Sequence, residues 1–133
     1  MDWKLELVIL PVSDVDRAKN FYVEQAGFAV DVDVVTPAFR IVQVTPPGSA
    51  CSVTLMRNTD NPGSVQGLHL VVSDIEAARK ELLDRGMDIG DFFHHGPTGE
   101  QLPGLHPERV KYGTYLQFSD PDGNGWLVQE VPA

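Results

Sequence analysis

The stretch VSDVDRAKNFY at residues 12–22 returns 60 residues later as VSDIEAARK at residues 72–80. Each copy follows an apolar run, at residues 5–10 and 68–72, and each leads to a glycine, Gly27 or Gly86. Ser or Asp before a helical pattern is typical of a helix N-cap, and glycine just after it is typical of a left-handed C-terminal residue. This repeat indicates a duplicated strand–helix unit and predicts helices at residues 15–25 and 75–85.

Further apolar runs predict the strands that complete each unit. They lie at residues 28–35, 39–44 and 51–56 in the first copy, and at residues 87–89, 115–119 and 126–131 in the second. The turns TPPG and DPDG begin at Thr45 and Asp120, 75 residues apart, and this offset aligns Arg40 with Tyr115. Asp, Pro and Gly in these turns are interpreted as turn residues and not as catalytic groups. The predicted order is strand, helix and three strands, used twice.

The bulk composition excludes several classes of function. A length of 133 residues predicts one compact domain, with a first module at about 4–58 and a second at about 65–131. The net charge of −9 argues against binding to nucleic acid or to an anionic membrane surface. The sequence has no apolar run of about 20 residues and no signal-peptide pattern at its start. With a single cysteine, Cys51, it is expected to be cytoplasmic.

Residues 92–113 are predicted to form a long loop that closes over a site as a lid. Its aromatic residues Phe92, Phe93 and Tyr112 are candidates to cover a planar ligand. The loop also carries His94, His95 and His106, which either bind metal, are solvated on a Pro- and Gly-rich loop, or join the aromatic residues in covering the ligand. The second interpretation is favoured, and the role of these three histidines is left open.

The strings VSDVDRAKNFY, VSDIEAAR and FSDPDGNGWLVQEV resemble the vicinal-oxygen-chelate superfamily over about residues 5–131. That superfamily includes glyoxalase I, extradiol dioxygenases, fosfomycin-modifying enzymes and bleomycin-binding resistance proteins. The resemblance implies an α+β fold, with two tandem βαβββ modules forming a cupped, partly open barrel-like sheet and helices outside. It further implies a single glyoxalase/bleomycin-resistance-like domain over residues 1–133, whose modules pair within the chain or across a homodimer.

The resemblance also locates the positions where metal-using relatives carry His or Glu ligands. These positions lie seven residues before the Asp that opens each helix and seven residues after the start of each hairpin turn. In this sequence they hold Leu7, Gly67, Ser52 and Leu127. Divalent metals in proteins need several imidazole, carboxylate or thiolate donors. We therefore expect no metal at the usual position and no cofactor.

Alternation along the strands predicts which residues face the trough of such a fold. His69, Thr54 and Gln129 lie two positions beyond the vacant ligand positions and are predicted to face the trough. Tyr115 and Gln117, on the neighbouring strand, are predicted to share this face. Arg40 is added because the 75-residue offset aligns it with Tyr115. With the loop aromatics, these residues form the predicted ligand-binding set. His69 is the candidate catalytic residue, and its alternative interpretation is a core imidazole satisfied by hydrogen bonds.

Three functions remain open at this point. The first is metal-free binding of a small organic molecule, as the antibiotic-sequestering relatives do. The second is metal-independent isomerase or lyase chemistry with His69 as general base and Arg40 or Tyr115 polarising an oxygen. The third is a metal-dependent lyase or dioxygenase with relocated ligands. The expected partners are a small-molecule ligand and a second copy of the chain.

Overall fold

A computed structural model describes residues 1–133, the whole chain. The first half contains β1 (Leu7–Val12), α1 (Val15–Asn20), β2 (Ala29–Val35), β3 (Arg40–Thr45) and β4 (Ser52–Arg57). The second contains β5 (Leu68–Val72), α2 (Ile75–Asp84), β6 (Phe93–His95), β7 (Gln101–Pro103), β8 (Thr114–Ser119) and β9 (Gly125–Glu130). The chain divides into two compact units, residues 1–65 with 120–124 (unit 1) and residues 66–119 with 125–133 (unit 2).

None of the helices combines the length and the apolar character that crossing a membrane requires.

Sheet A, in unit 1, has the strand order β1–β4–β3–β2. β1 runs parallel to β4, while β2, β3 and β4 are antiparallel neighbours joined by hairpins. Sheet B, in unit 2, repeats this arrangement as β5–β9–β8–β6 and adds β7 at the edge beside β6. β5 is likewise parallel to β9. The predicted α+β fold of two βαβββ modules is therefore confirmed.

Both helices begin at the predicted aspartate caps. The Asp14 carboxylate accepts the N–H of Arg17 at 3.1 Å, and the Asp74 carboxylate accepts the N–H of Ala77 at 3.1 Å. A π-helical segment, Phe21–Gln25, continues α1, so the helical stretch reaches the predicted end at residue 25. Gly27 follows with φ +77°, a conformation that an α-helix cannot continue through. The helix predictions for residues 15–25 and 75–85 are thus confirmed.

The segment 92–113 is not the long loop that the sequence predicts. β6 pairs with β8 and β7 pairs with β6, so the first part of the segment extends sheet B. The strand predicted at residues 87–89 does not form, although Met87 and Ile89 are buried. β6 was not predicted because a strand of three residues shows too little alternation to be recognised in a sequence. Its stability depends instead on its cross-strand partners. Residues 93–103 therefore form a β-hairpin at the edge of sheet B.

Each sheet has one face covered by its helix. In unit 1, Val42 and Leu55 are fully buried on the face that packs against α1. In unit 2, Leu116 and Val128 occupy the same place beneath α2. We call this side of each sheet the helix face and the opposite side the open face. Because side chains alternate along a strand, the residues between these buried ones project from the open face.

Candidate functional site

The open face of sheet B brings together five of the predicted binding residues. Phe93 on β6 is in register with Tyr115 on β8, and Tyr115 is in register with Gln129 on β9. Leu127 is in register with Gln117 on one side and with His69 on the other. Residues in register project from the same face of a sheet. The open face of sheet B therefore carries His69, Phe93, Tyr115, Gln117 and Gln129, which with His95 we call the sheet-B site.

Three rings form an aromatic cluster within this site. The Phe93 and Tyr115 rings are stacked, with centroids 5.5 Å apart and an interplanar angle of 21°. The His95 ring meets Tyr115 at 5.4 Å and Phe93 at 6.0 Å, both in edge-on geometry. His95 was not in the predicted ligand-binding set, because residues 92–113 were expected to be a loop. Once Phe93–His95 is known to be a strand, alternation places His95 on the same face as Phe93.

His69 is exposed, and its ring orientation is set by its own strand. Its Nδ1 lies 2.6 Å from the carbonyl oxygen of Gly67, which can only accept a hydrogen bond. The neutral ring is therefore protonated on Nδ1, and Nε2 keeps its lone pair. A histidine in this form accepts a hydrogen bond or a proton at Nε2. The interpretation of His69 as a buried core imidazole is wrong, because the side chain lies on an exposed face.

Arg40 lies on the helix face of sheet A, so the prediction that it faces the trough is wrong. Val42 and Val44 take the buried places that Leu116 and Phe118 take in unit 2, which aligns β3 with β8 at an offset of 74 residues. The turn motifs had suggested 75. A slip of one residue moves every side chain of a strand to the opposite face.

On that face Arg40 joins a network of charged side chains. It bonds Asp16 on α1, and its Nε and Nη2 donate to the two oxygens of Asp33 at 3.3 and 3.1 Å. Lys19 also donates to Asp33, at 2.7 Å. The hydrogen bonds from Arg40 and then Lys19 lower the pKa of Asp33 to about 2. Arg40 also lines a cleft of about 620 Å³ at the end of sheet A, together with Asp16 and Phe39.

Thr54 lies in unit 1, on the open face of sheet A. It is in register with Ile9 on β1 and with Gln43 on β3. Its side chain is 5% exposed, and its hydroxyl oxygen has no hydrogen-bond partner. A buried hydroxyl without a partner carries a cost in free energy. Of the predicted site residues, Thr54 is therefore the one with a buried polar atom that lacks a hydrogen-bond partner.

Two aromatic residues proposed to cover the ligand lie away from the cluster of rings. Phe92 precedes Phe93 in the extended chain and contacts α2, where the guanidinium carbon of Arg79 lies 5.6 Å from the centroid of its ring. Tyr112 is more than half exposed and has a positive φ of 61°. Its N–H donates to the carbonyl oxygen of Glu130 at 2.7 Å. Neither ring is part of the stacked pair of Phe93 and Tyr115.

The histidines of segment 92–113 are not all solvated, which corrects the favoured interpretation. His94 is buried, and its Nδ1 donates to the Gly104 carbonyl oxygen at 2.9 Å. Its ring centroid lies 5.6 Å from that of His106, whose Nδ1 accepts the N–H of Glu108 at 3.0 Å. Pairing in β6 turns His94 inward and His95 outward.

The donors at the usual metal positions do not fit a divalent metal. Thr54, and not Ser52, is the structural counterpart of Leu127, because Thr54 is in register with Ile9 as Leu127 is with His69. Thr54, like Ser52, offers only a neutral hydroxyl, so the position supplies no imidazole or carboxylate. Within each unit, no three His, Cys, Asp or Glu side chains lie close enough together to hold a metal ion.

The two βαβββ modules and their open faces define a class of proteins. The chain belongs to the Glyoxalase/Bleomycin resistance protein/Dioxygenase superfamily, which it matches over residues 4–128. The resemblance inferred from the sequence is thereby confirmed.

Known proteins similar to this chain include an antibiotic binding protein. TnmS3, an antibiotic binding protein from Streptomyces sp. CB03234, is 33% identical with a TM-score of 0.74, and the match covers 99% of this chain and 98% of that one. A glyoxalase/bleomycin resistance protein from the same organism is 33% identical with a TM-score of 0.71, covering 96% of this chain and 100% of the other. The uncharacterised protein YetH from Bacillus subtilis (strain 168) is 28% identical over 125 residues, which are 92% of this chain and 94% of YetH.

Proposed function

We propose that this protein binds a small, planar organic molecule on the open face of sheet B, without a metal at the usual position. The observation that carries the proposal is the cluster of Phe93, Tyr115 and His95 rings beside His69, Gln117 and Gln129 on one sheet face. A binding surface for a small molecule typically combines apolar, aromatic area with a few placed polar groups. This face has both.

The chemistry of the site defines the kind of ligand. The rings of Phe93 and Tyr115 offer aromatic surface against which a planar ligand can stack, a contact worth about 0.5–1.5 kcal/mol beyond its area. Gln117 and Gln129 carry carboxamides, and His69 adds an imidazole. These groups pair with carbonyl and hydroxyl oxygens. A hydroxylated quinone or another planar molecule with oxygens on its rim fits this set.

Binding, as opposed to metal chemistry, is supported by two further facts. The positions of the family's metal ligands hold Leu7, Thr54, Gly67 and Leu127, which offer a single neutral hydroxyl. TnmS3, one of the similar structures, is described as an antibiotic binding protein. Elemental analysis of protein purified without chelators should find no stoichiometric zinc, iron or nickel, and about one metal per chain would contradict the proposal.

The experiment is calorimetric titration with a panel of hydroxylated naphthoquinones and anthraquinones. For a compound that binds, Phe93→Leu should weaken affinity, because it removes the ring stacked on Tyr115. Phe92→Leu is the matched control, because the same residue type contacts Arg79 instead. His69→Ala should cost about 1–3 kcal/mol of binding free energy if a hydrogen bond to the ligand is lost. Equal losses in the two phenylalanine variants, or none in either, would overturn the placement of the ligand.

Catalysis by His69 is the second candidate function. It is favoured by the bond to Gly67, which leaves Nε2 of the neutral ring as a proton acceptor on an exposed face. A metal-independent isomerase or lyase would use that nitrogen to move a proton of the bound molecule. Chemical conversion of a ligand that binds, abolished in His69→Ala and His69→Gln while binding persists, would establish this function. Recovery of every bound ligand unchanged would leave binding alone.

We further propose that the protein is a cytoplasmic homodimer. β2 lies at an edge of sheet A and exposes Val32, Val34 and Val35. An exposed apolar edge strand favours pairing with another chain. Light scattering at micromolar concentration should give twice the 14.6 kDa mass of the chain. A monomer mass under those conditions would contradict this assembly.

A further inference from the structure

A cleft of about 620 Å³ lies at the end of sheet A where α1 begins, within unit 1. Three of the residues that line it form one row on the helix face. Val35 on β2 is in register with Arg40 on β3. Since Ile41 pairs with Met56 in the antiparallel ladder of β3 and β4, the next residues on the two strands, Arg40 and Arg57, face each other. The volume of the cleft is within the range of about 300–1,000 Å³ that is typical of small-molecule sites.

One wall of this cleft is the turn between β2 and β3, and it is held in a fixed shape. The Thr36 hydroxyl accepts the N–H of Ala38 at 3.2 Å and that of Phe39 at 3.0 Å, and the N–H of Thr36 donates to the carbonyl oxygen of Phe39 at 2.8 Å. The turn adds Pro37 and the half-exposed Phe39 to the lining, beside Val35, which is 71% exposed. The cleft therefore has an apolar, preformed side.

Of the four charged residues that line the cleft, one has no partner. Arg40 bonds Asp16 and also a carboxylate behind it on β2. Asp14 caps α1 and accepts a backbone N–H. Arg57, by contrast, is exposed and makes no hydrogen bond or ion pair within the chain. The group of the cleft that is left to pair with a ligand is therefore the guanidinium of Arg57.

We propose that this cleft is a second binding site, which takes a small carboxylic acid with a planar, apolar body. The ligand carboxylate accepts two hydrogen bonds from Arg57, because the planar guanidinium matches a carboxylate in geometry. The body lies over Val35 and against the turn. Val35 and Arg57 are two strands apart, about 10 Å, a distance that a two-ring aromatic acid spans. A phosphate dianion is disfavoured, because Asp14 and Asp16 line the same cleft and repel the higher charge.

The probe is 1-naphthylacetate, compared by NMR titration with the neutral 1-naphthylacetamide. The acid should bind about tenfold more tightly than the amide, because charge-assisted hydrogen bonds are stronger than neutral ones. Its shift changes should centre on Val35, Arg40 and Arg57, and Phe93→Leu in the sheet-B site should leave them unchanged. Equal affinity for acid and amide, shift changes confined to unit 2, or tighter binding of 1-naphthylmethylphosphonate than of the acid would overturn the proposal.

The decisive variant is Arg57→Gln, which should abolish the preference for the acid over the amide. Lys4→Gln is the matched control, because it removes the same charge from an exposed position of unit 1 before β1, whereas Arg57 is in register with the last residue of β1. Val35→Ser removes apolar surface, so both affinities should fall several-fold while the preference remains. A preference that survives in Arg57→Gln, or falls equally in Lys4→Gln, would refute the assignment of Arg57, and unchanged affinities in Val35→Ser would refute the placement of the body.

Discussion

Replacing Arg109 by methionine should destabilise unit 2 through the buried carboxylate of Glu130. Glu130 is 1% exposed on the helix face of β9. Its Oε2 accepts the N–H of Ile75 at 3.0 Å and Nη2 of Arg109 at 2.6 Å, and its Oε1 accepts Nε of Arg109 at 2.8 Å. This single carboxylate therefore joins the start of α2, the last strand and the segment that precedes β8.

The size of the effect follows from these contacts. Arg109 supplies two of the three hydrogen bonds, and hydrogen bonds to charged groups contribute about 1.5–3 kcal/mol each. Removing one partner of a buried pair typically costs about 3–5 kcal/mol, because the remaining charge is left without compensation. The Arg109 side chain is 34% exposed, so water can reach part of the vacated space. We therefore expect Arg109→Met to lower the free energy of unfolding by about 3 kcal/mol.

Urea denaturation followed by far-UV circular dichroism measures this change, and a second substitution tests its cause. In the Arg109→Met background, Glu130→Gln removes the uncompensated charge, so the double variant should be more stable than Arg109→Met alone. Lys80→Met is the control, since Lys80 pairs with Asp84 on the exposed side of α2 and should leave the denaturation midpoint unchanged. If Glu130→Gln destabilised the Arg109→Met variant as much as the natural chain, the reasoning would be refuted.

Three further predictions concern pH and backbone geometry. The hydrogen bond from Arg109 holds the pKa of Glu130 below its usual 4.5, so its stabilisation is present above about pH 4.5 and is lost as the pH falls through the lower folded pKa. Urea denaturation of Glu130→Gln at several acidic pH values should show a weaker acid dependence than the natural chain. Carbon-13 NMR should find Asp33 ionised down to about pH 2, and Arg40→Gln should raise that pKa, whereas an unchanged titration would contradict the assigned bonds. Gly63→Ala should destabilise unit 1 by more than about 1 kcal/mol by the same denaturation assay, because φ is +77° and the added Cβ meets the carbonyl oxygen of Asp122.

The sequence predicts most of the fold because the signals are local. The helices follow from Asp14 and Asp74, whose side chains cap the N-termini within three residues in the chain. The 60-residue repeat then implies that the second unit has the same order of strands and helix as the first. The strand β6 could not be predicted from local signals. Residues 93–95 carry no pattern of their own, and only the partners on β7 and β8 make them a strand.

The candidate site is predicted in part, and the failures have one physical cause. Strands β5, β8 and β9 alternate cleanly, so His69, Tyr115, Gln117 and Gln129 share a face as the sequence analysis proposed. In sheet A the same logic failed for Arg40, because the two hairpin turns differ in length and an error of one residue reverses the face.

What the sequence by itself determined is therefore the fold class, the two helices and the residue types at Leu7, Gly67 and Leu127, none of which carries a metal-ligating group. Each of these depends on residue type and short-range spacing. The tertiary structure alone decided which side chains meet, because that depends on strand register. In the tertiary structure Phe93 stacks on Tyr115, and a β-bulge places Asp31 on the open face of sheet A. No residue type in the sequence predicts this bulge.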